Sequence, residues 1–218
     1  GIFGVINTIG IIDESRVLAA RDVLAHRGPD DAGLYFSPHH PELVSGSPYV
    51  ALAHRRLAII DLSPAAHQPM VSDDGRYVIV FNGEIYNYKN LRPSPPPKGE
   101  GAFKSNSDTE VILYLYAQHG KDCLQFLRGM FAFAIWDDQE KTLFAARDRF
   151  GIKPFYYYKN DESFVFASEI KAIKHYVKNL TINNDALYAF LRTGSVPAPL
   201  TIYNEVSALL PGHYLTIN

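Results

Sequence analysis

Arg76-Tyr77-Val78-Ile79-Val80 is a β-branched and aromatic run, with the length and composition of a buried strand rather than a helix. It leads straight into Phe81-Asn82-Gly83-Glu84-Ile85-Tyr86-Asn87, where Asn-Gly, the strongest short turn signal, is expected to end the strand. One strand therefore delivers an amide side chain, a backbone without Cβ and a carboxylate to a single spot. An Asn NH2 beside a Gly N–H is a donor pair able to cradle an oxyanion, and glycine lets a substrate come close to the main chain. Taken alone, the same pair reads as a plain hairpin, its commoner use after a strand.

A chain of 218 residues, 47% of them hydrophobic, can bury a core as one domain over residues 1–218. Twenty-one basic residues against 23 acidic leave a net charge of −2 with no long run of one sign. That balance gives no electrostatic footprint for nucleic acid or a membrane surface, so a small substrate is expected. The one cysteine, Cys123, leaves no internal disulfide, and no apolar stretch reaches the roughly 18 residues of a membrane span. A cytoplasmic location is the expectation. The first residues, Gly1-Ile2-Phe3-Gly4-Val5, carry no methionine and are apolar where free ends are normally polar and frayed, which reads as a buried terminus.

Residues 1–6 read as a strand and residues 14–24 as a helix capped by Asp13. The loop His26-Arg27-Gly28-Pro29-Asp30-Asp31-Ala32-Gly33 precedes a short strand at 33–36, and residues 37–48 read as a surface excursion. Residues 49–54 and 56–60 read as two strands, with Arg56 at the start of the second. A guanidinium fixed there suits a carboxylate through two parallel hydrogen bonds, although an Arg in that setting is more often a surface residue or an ion-pair partner. Residues 87–91 form one helical turn before a proline-rich, exposed insertion at 92–101. Ser107-Asp108-Thr109-Glu110 opens a helix that Gly120 stops, with Asp108 where amides can hold it, and simple capping is the alternative use. Cys123 falls on the face of another short helix and reads as inert packing. Four strands at 130–137, 142–148, 154–158 and 163–168 read as an antiparallel meander forming a second sheet. Helices at 169–176 and 184–192, a connector at 194–200 and a last strand at 212–218 complete the chain. The order fits two antiparallel sheets with helices outside.

The eight histidines show no metal-ligand spacing with Cys or acidic residues, so no metal is expected. No glycine-rich phosphate loop follows a strand, so no nucleotide is expected either.

Taken together, GIFGV, HRGPDDAG, LAHRRLAIIDLSPAAHQPM, FNGEIYNYKNLR, SDTEVIL, GMFAFAIWD, ARDRFGIKPFYY, ASEIKAI and TIYNEVSALLPGHYL resemble, in order, the amino-terminal glutamine-hydrolysing domain of glutamine-dependent asparagine synthetases. The resemblance lapses only at 37–48 and 92–102. It implies an α+β N-terminal nucleophile hydrolase fold, a four-layer αββα sandwich of two antiparallel sheets. It also implies that Arg56 holds the α-carboxylate of glutamine, that the backbone through Leu57 and Ile60 lines the pocket, and that Glu84 and Asp108 receive the α-amino group. Asn82 and the Gly83 N–H would form the oxyanion hole, each donor contributing roughly 3 kcal/mol. In the family an N-terminal cysteine attacks the amide with its own α-amine as base, an amine whose ordinary pKa is about 7.7–8.0. That cysteine would directly precede Gly1, and the sequence holds no residue there.

What the resemblance implies further is a carboxy-terminal ATP-pyrophosphatase synthetase domain that receives the ammonia, with ATP and magnesium bound there and no cofactor in this domain. A homodimer is left open. The rival expectation is a domain without a nucleophile that binds glutamine or serves as a scaffold, as in related β-lactam-forming synthetases. Amidotransferases making amino sugars or purine precursors fit FNGEIYN and GIKPFYY less well.

Overall fold

The computed structural model describes residues 1–8, 10, 12–37, 49–93 and 103–218. In chain order these form β1 (Ile2–Asn7), α1 (Glu14–Asp22), β2 (Asp31–Phe36), β3 (Tyr49–Arg56), β4 (Met70–Val71), β5 (Tyr77–Ile85), α2 (Tyr88–Leu91) and α3 (Asp108–His119). The second half holds β6 (Gly129–Asp137), β7 (Thr142–Arg147), β8 (Tyr156–Lys159), β9 (Ser163–Ala167), α4 (Ile170–Tyr176), α5 (Asn184–Thr193), β10 (Val206–Ala208) and β11 (Tyr214–Ile217). The surface excursion and the proline-rich insertion expected from the sequence fall largely on residues 38–48 and 94–102, outside the described residues.

Two antiparallel sheets carry the strands, ordered β10-β8-β9-β1-β3-β2 and β11-β7-β6-β5-β4. The period of two along each strand sorts side chains into three apolar layers. Even residues of β5 and β6 (Val78, Val80, Ala132, Trp136) meet Ile2, Leu52 and Phe166 of the other sheet. Odd residues of the same two strands (Ile79, Phe81, Phe131, Phe133) pack under Val111, Ile112 and Leu115 of α3. Phe3, Val5, Ala51 and Val165 turn the opposite way, onto Val17, Ala20 and Ile173 of α1 and α4. The stack is helix, sheet, sheet, helix: the αββα sandwich. The apolar first residues are explained by position, because β1 lies in the middle of its sheet between β3 and β9.

Several sequence expectations need correction. Asn82-Gly83 does not end a strand: β5 runs through it to Ile85, with Gly83 opposite Phe131 of β6. Its glycine serves close packing instead, since a Cβ there would sit 2.1 Å from the Met130 carbonyl oxygen. Arg56 closes β3 rather than opening a second strand. Beyond it the main chain bonds to side chains, with the Ala58 N–H on Asp30 Oδ2 at 2.8 Å. The four late strands are not one meander, because β6 and β7 join β5 while β8 and β9 join β1. The crossing between them is held by Asp148, whose two oxygens accept the N–H groups of Phe131, Phe150, Ile152 and Lys153 at 3.0–3.2 Å. The two-residue β4 and three-residue β10 carry too little pattern to read from sequence. Asp13 caps α1 as expected, although the helix stops at Asp22.

Candidate functional site

Along β5 the odd N–H groups all point away from β6, because the odd residues of β6 bond outward to β7, as the Asp148 N–H to the Phe131 carbonyl shows at 2.8 Å. On that outer edge β4 pairs only as far as Val78 and Ile79. Beyond it, side chains stand where a strand would be. The Phe81 N–H donates to Gln68 Oε1 at 2.7 Å and the Ile85 N–H to Asp108 Oδ2 at 2.9 Å. The Gly83 N–H lies between them on the same edge and opens onto a cleft of about 460 Å³. The even-numbered Asn82 side chain points toward the inter-sheet side, and its Nδ2 is buried with no hydrogen-bond partner. An orphaned amide donor at a cavity wall is a rare and costly arrangement that a bound acceptor would relieve.

The same cleft gathers Arg56, Leu57, Ile60, Asn82, Gly83, Glu84 and Asp108, every site residue expected from the sequence. Gly1 also lines it, its nitrogen 2.5 Å from the Arg55 carbonyl oxygen. Arg56 donates to the main-chain oxygens of Asp61 and Ser63 in the loop that follows β3. A guanidinium has five N–H donors, so capacity remains for a carboxylate. That loop is tied to the segment before α3 by Asp61 Oδ2, which accepts the Asn106 N–H at 2.6 Å. Leu57 is half-exposed at the rim.

Asp108 is the first residue of α3, but the capping bond belongs to its neighbour: the Ser107 hydroxyl accepts the Thr109 N–H at 3.0 Å. Asp108 is thereby left to face the cleft. Burial raises its carboxyl above the ordinary carboxylate range, the Ile85 N–H works against that rise, and Glu84 reinforces it. The N–H groups of Asp108 and Thr109 also oppose the rise without cancelling it, and a cationic ligand in the cleft would favour the ionised form. Around Gly1 three cations outnumber one carboxylate, Glu169, which works the other way. Burial first, then the Arg27 guanidinium, push the Gly1 amine down to about 5, and Arg55 and Lys153 add to the same effect. Cys123 sits elsewhere, fully buried in the turn Gly120–Gln125, with its thiol pushed up to about 12 by burial. It cannot act as a nucleophile at neutral pH.

Sequence reading missed Gln68, His54, Thr109, Arg27 and Lys153, which also line the cleft. For His54 a signal existed: it continues the inward series Val50, Leu52, and a polar residue on an apolar stripe calls for a reason.

The glutamine amidotransferase domain family matches residues 1–218. The putative asparagine synthetase [glutamine-hydrolyzing] 2 of Methanocaldococcus jannaschii is 37% identical over 227 residues, covering 96% of this chain and 42% of its own length. Asparagine synthetase [glutamine-hydrolyzing] 3 of Bacillus subtilis is 38% identical, covering 90% of this chain and 31% of its own length. The chain thus spans less than half the length of these curated relatives. Among solved structures, the glutamine phosphoribosylpyrophosphate amidotransferase of B. subtilis superposes with a TM-score of 0.65 at 22% identity. It covers all of this chain and 47% of that one, a likeness of fold.

Proposed function

The chain belongs to the family of glutamine amidotransferase domains, and on that premise we propose that its cleft binds L-glutamine and hydrolyses the side-chain amide to glutamate and ammonia. The observation that carries the reading is the donor pair at the strand edge, the buried Asn82 Nδ2 without a partner and the Gly83 N–H opening onto the cleft. Two such donors match the developing oxyanion of an amide under attack, and each is worth roughly 3 kcal/mol in the transition state.

In this reading Arg56 takes the substrate α-carboxylate, and Glu84 with Asp108 takes the α-ammonium. The backbone through Leu57 and Ile60 walls the pocket. A cysteine immediately before Gly1 supplies the thiol. Its sulfur bonds to the amide carbon while its proton passes through the α-amine to the departing nitrogen, so that ammonia leaves and a thioester remains. Water then attacks the thioester, releasing glutamate and restoring the thiol. The cationic Arg27, Arg55 and Lys153 side chains around the Gly1 nitrogen favour a thiolate on a cysteine placed before it. This half-reaction uses no cofactor. The ammonia is consumed by an ATP- and magnesium-dependent synthetase domain of the kind implied by the greater length of the relatives, for amide formation on aspartate or a similar carboxylate.

The test compares ammonia release from L-glutamine by the protein carrying Cys or Ala immediately before Gly1. Hydrolysis with Cys alone, and one adduct of a glutamine-like electrophile on that residue and none on Cys123, is expected. Saturable glutamine binding without hydrolysis or adduct in the Cys form would replace the reading with that of a binding module.

A further inference from the structure

The peptide unit on either side of Phe81 is gripped by two buried polar side chains that come from outside its own strand. Gln68, 6% exposed, accepts the Phe81 N–H at 2.7 Å. His54, 4% exposed and from the opposite sheet, meets the Phe81 carbonyl oxygen with Nε2 at 3.1 Å. A carbonyl only accepts, so Nε2 carries the proton. Burial holds His54 well below its ordinary pKa, which leaves the ring neutral with that one N–H. Gln68 is in turn anchored, its Nε2 donating to Thr109 Oγ1 at 3.2 Å, one residue beyond Asp108.

A paired neighbour strand would satisfy both Phe81 groups, but it would also occupy the Gly83 N–H two residues on. The ladder with β4 stops at Ile79, and the side chains of Gln68 and His54 take over at Phe81. Backbone order is thereby kept directly before Asn82 while the next N–H on the edge stays free.

We infer that Gln68 and His54 are positioning residues for the oxyanion donors: by clamping the Phe81 N–H and C=O in place of a strand, they hold Asn82 Nδ2 and the Gly83 N–H in register. The inference rests on the oxyanion reading above. Neither side chain is required to touch substrate. Their effect falls on the transition state, because ground-state affinity is set mainly by Arg56, Glu84 and Asp108 at the other end of the ligand.

The experiment measures kcat and KM for glutamine hydrolysis, and amide exchange at Phe81 and Gly83, in the protein with a cysteine before Gly1. Gln68→Met removes the acceptor at similar length, and His54→Leu removes the donor. Each is expected to lower kcat by roughly 10- to 100-fold, a fraction of the effect of deleting an oxyanion donor, with KM changed by less than about threefold. Exchange at Phe81 is expected to accelerate in Gln68→Met. His54→Gln, which presents an N–H at the same reach, is expected to recover at least half of the lost kcat on a logarithmic scale. Unchanged kcat in folded Gln68→Met and His54→Leu, or equal losses in His54→Leu and His54→Gln, would overturn the inference. Should either apolar variant fail to fold, kcat of His54→Gln against the parent protein, expected to fall by less than about tenfold, and Phe81 exchange in the parent protein, expected to be slow, still decide it, a larger loss or free exchange being contrary. Absence of hydrolysis in the unsubstituted protein would instead overturn the glutaminase reading, a distinct result.

Discussion

Asp148 and Asp108 are both buried carboxylates set against the β5–β6 sheet, yet they do opposite things. Asp148 accepts four main-chain N–H groups where the chain leaves β7 to cross to the other sheet. Burial pushes its carboxyl up, but those four donors outweigh it, and the group is held below the ordinary carboxylate range. Asp108 accepts the Ile85 N–H at 2.9 Å and is also favoured by its own and the Thr109 N–H groups, yet burial wins. The first carboxylate has its partners within the fold. The second lines a cleft, as does Asn82 with its unpartnered Nδ2. Satisfaction of polar groups thus separates the part of the molecule that holds the chain from the part that can hold a ligand.

The sharpest way to break this contrast is to remove each group in turn. Asp148→Ala leaves four N–H donors without their acceptor and is expected to lower stability by about 3–5 kcal/mol, read from the urea midpoint at constant slope. A loss under about 1 kcal/mol would mean that the crossing is not held as described. Asn82→Ala is expected to do the reverse, with stability changed by no more than about 1 kcal/mol while kcat for glutamine hydrolysis falls by roughly 10²- to 10³-fold. Asp108→Asn is expected to weaken L-glutamine binding by about tenfold, as befits a lost charge-assisted bond to an ammonium.

The pH profiles should differ in sign. Asp148 has a lowered folded pKa, so its stabilisation is present above the unfolded carboxylate pKa and is lost as pH falls through the folded value. Asp108 has a raised folded pKa, so its ionisation costs stability as pH rises from the unfolded carboxylate pKa through the folded one. Asp108→Asn should therefore gain on the parent protein across that window, measured as the difference in urea midpoint between pH 4 and pH 7, both rough anchors for carboxylate titration. A parallel profile would contradict the burial assigned to Asp108. The smallest effect belongs to Glu169. Burial pushes its pKa up, but Lys171, His26 and Arg27 outweigh that and bring it from the ordinary 4.5 down to about 2. Its stabilisation is present above 4.5 and lost as pH falls toward 2, so Glu169→Gln should flatten the acid limb slightly, and added salt should do likewise.

Much of this was written in the sequence, and what was not has a physical cause. Continuous apolar, β-branched and aromatic runs placed β1, β5, β6 and β9, because strands covered on both faces are apolar along most of their length. Asn82-Gly83 misled as a turn because local propensity is weak beside nine paired residues of β6, and the glycine answers a close backbone approach that only tertiary structure reveals. The division of β6–β7 from β8–β9 was equally hidden, since a crossing of eight residues between Arg147 and Tyr156 differs from a hairpin only in where it goes. The cleft residues Arg56, Asn82, Gly83, Glu84 and Asp108 were legible because their motifs occur together in order. Gln68 was not, because its partner is the main-chain N–H of Phe81, and His54 showed only as a polar break in an apolar stripe, with no sign that its partner is the Phe81 carbonyl.

The central claim is that the unsatisfied donors at the strand edge belong to a glutamine site, and it can be tested without any nucleophile. L-glutamine titrated into the 15N-labelled 218-residue chain should produce saturable shifts at the Asn82 side-chain amide and the Gly83 N–H. D-glutamine should not reproduce them, and Arg56→Ala should abolish them at the same concentrations. Silence at Asn82 and Gly83 under saturating L-glutamine, or equal response to both enantiomers, would contradict the account.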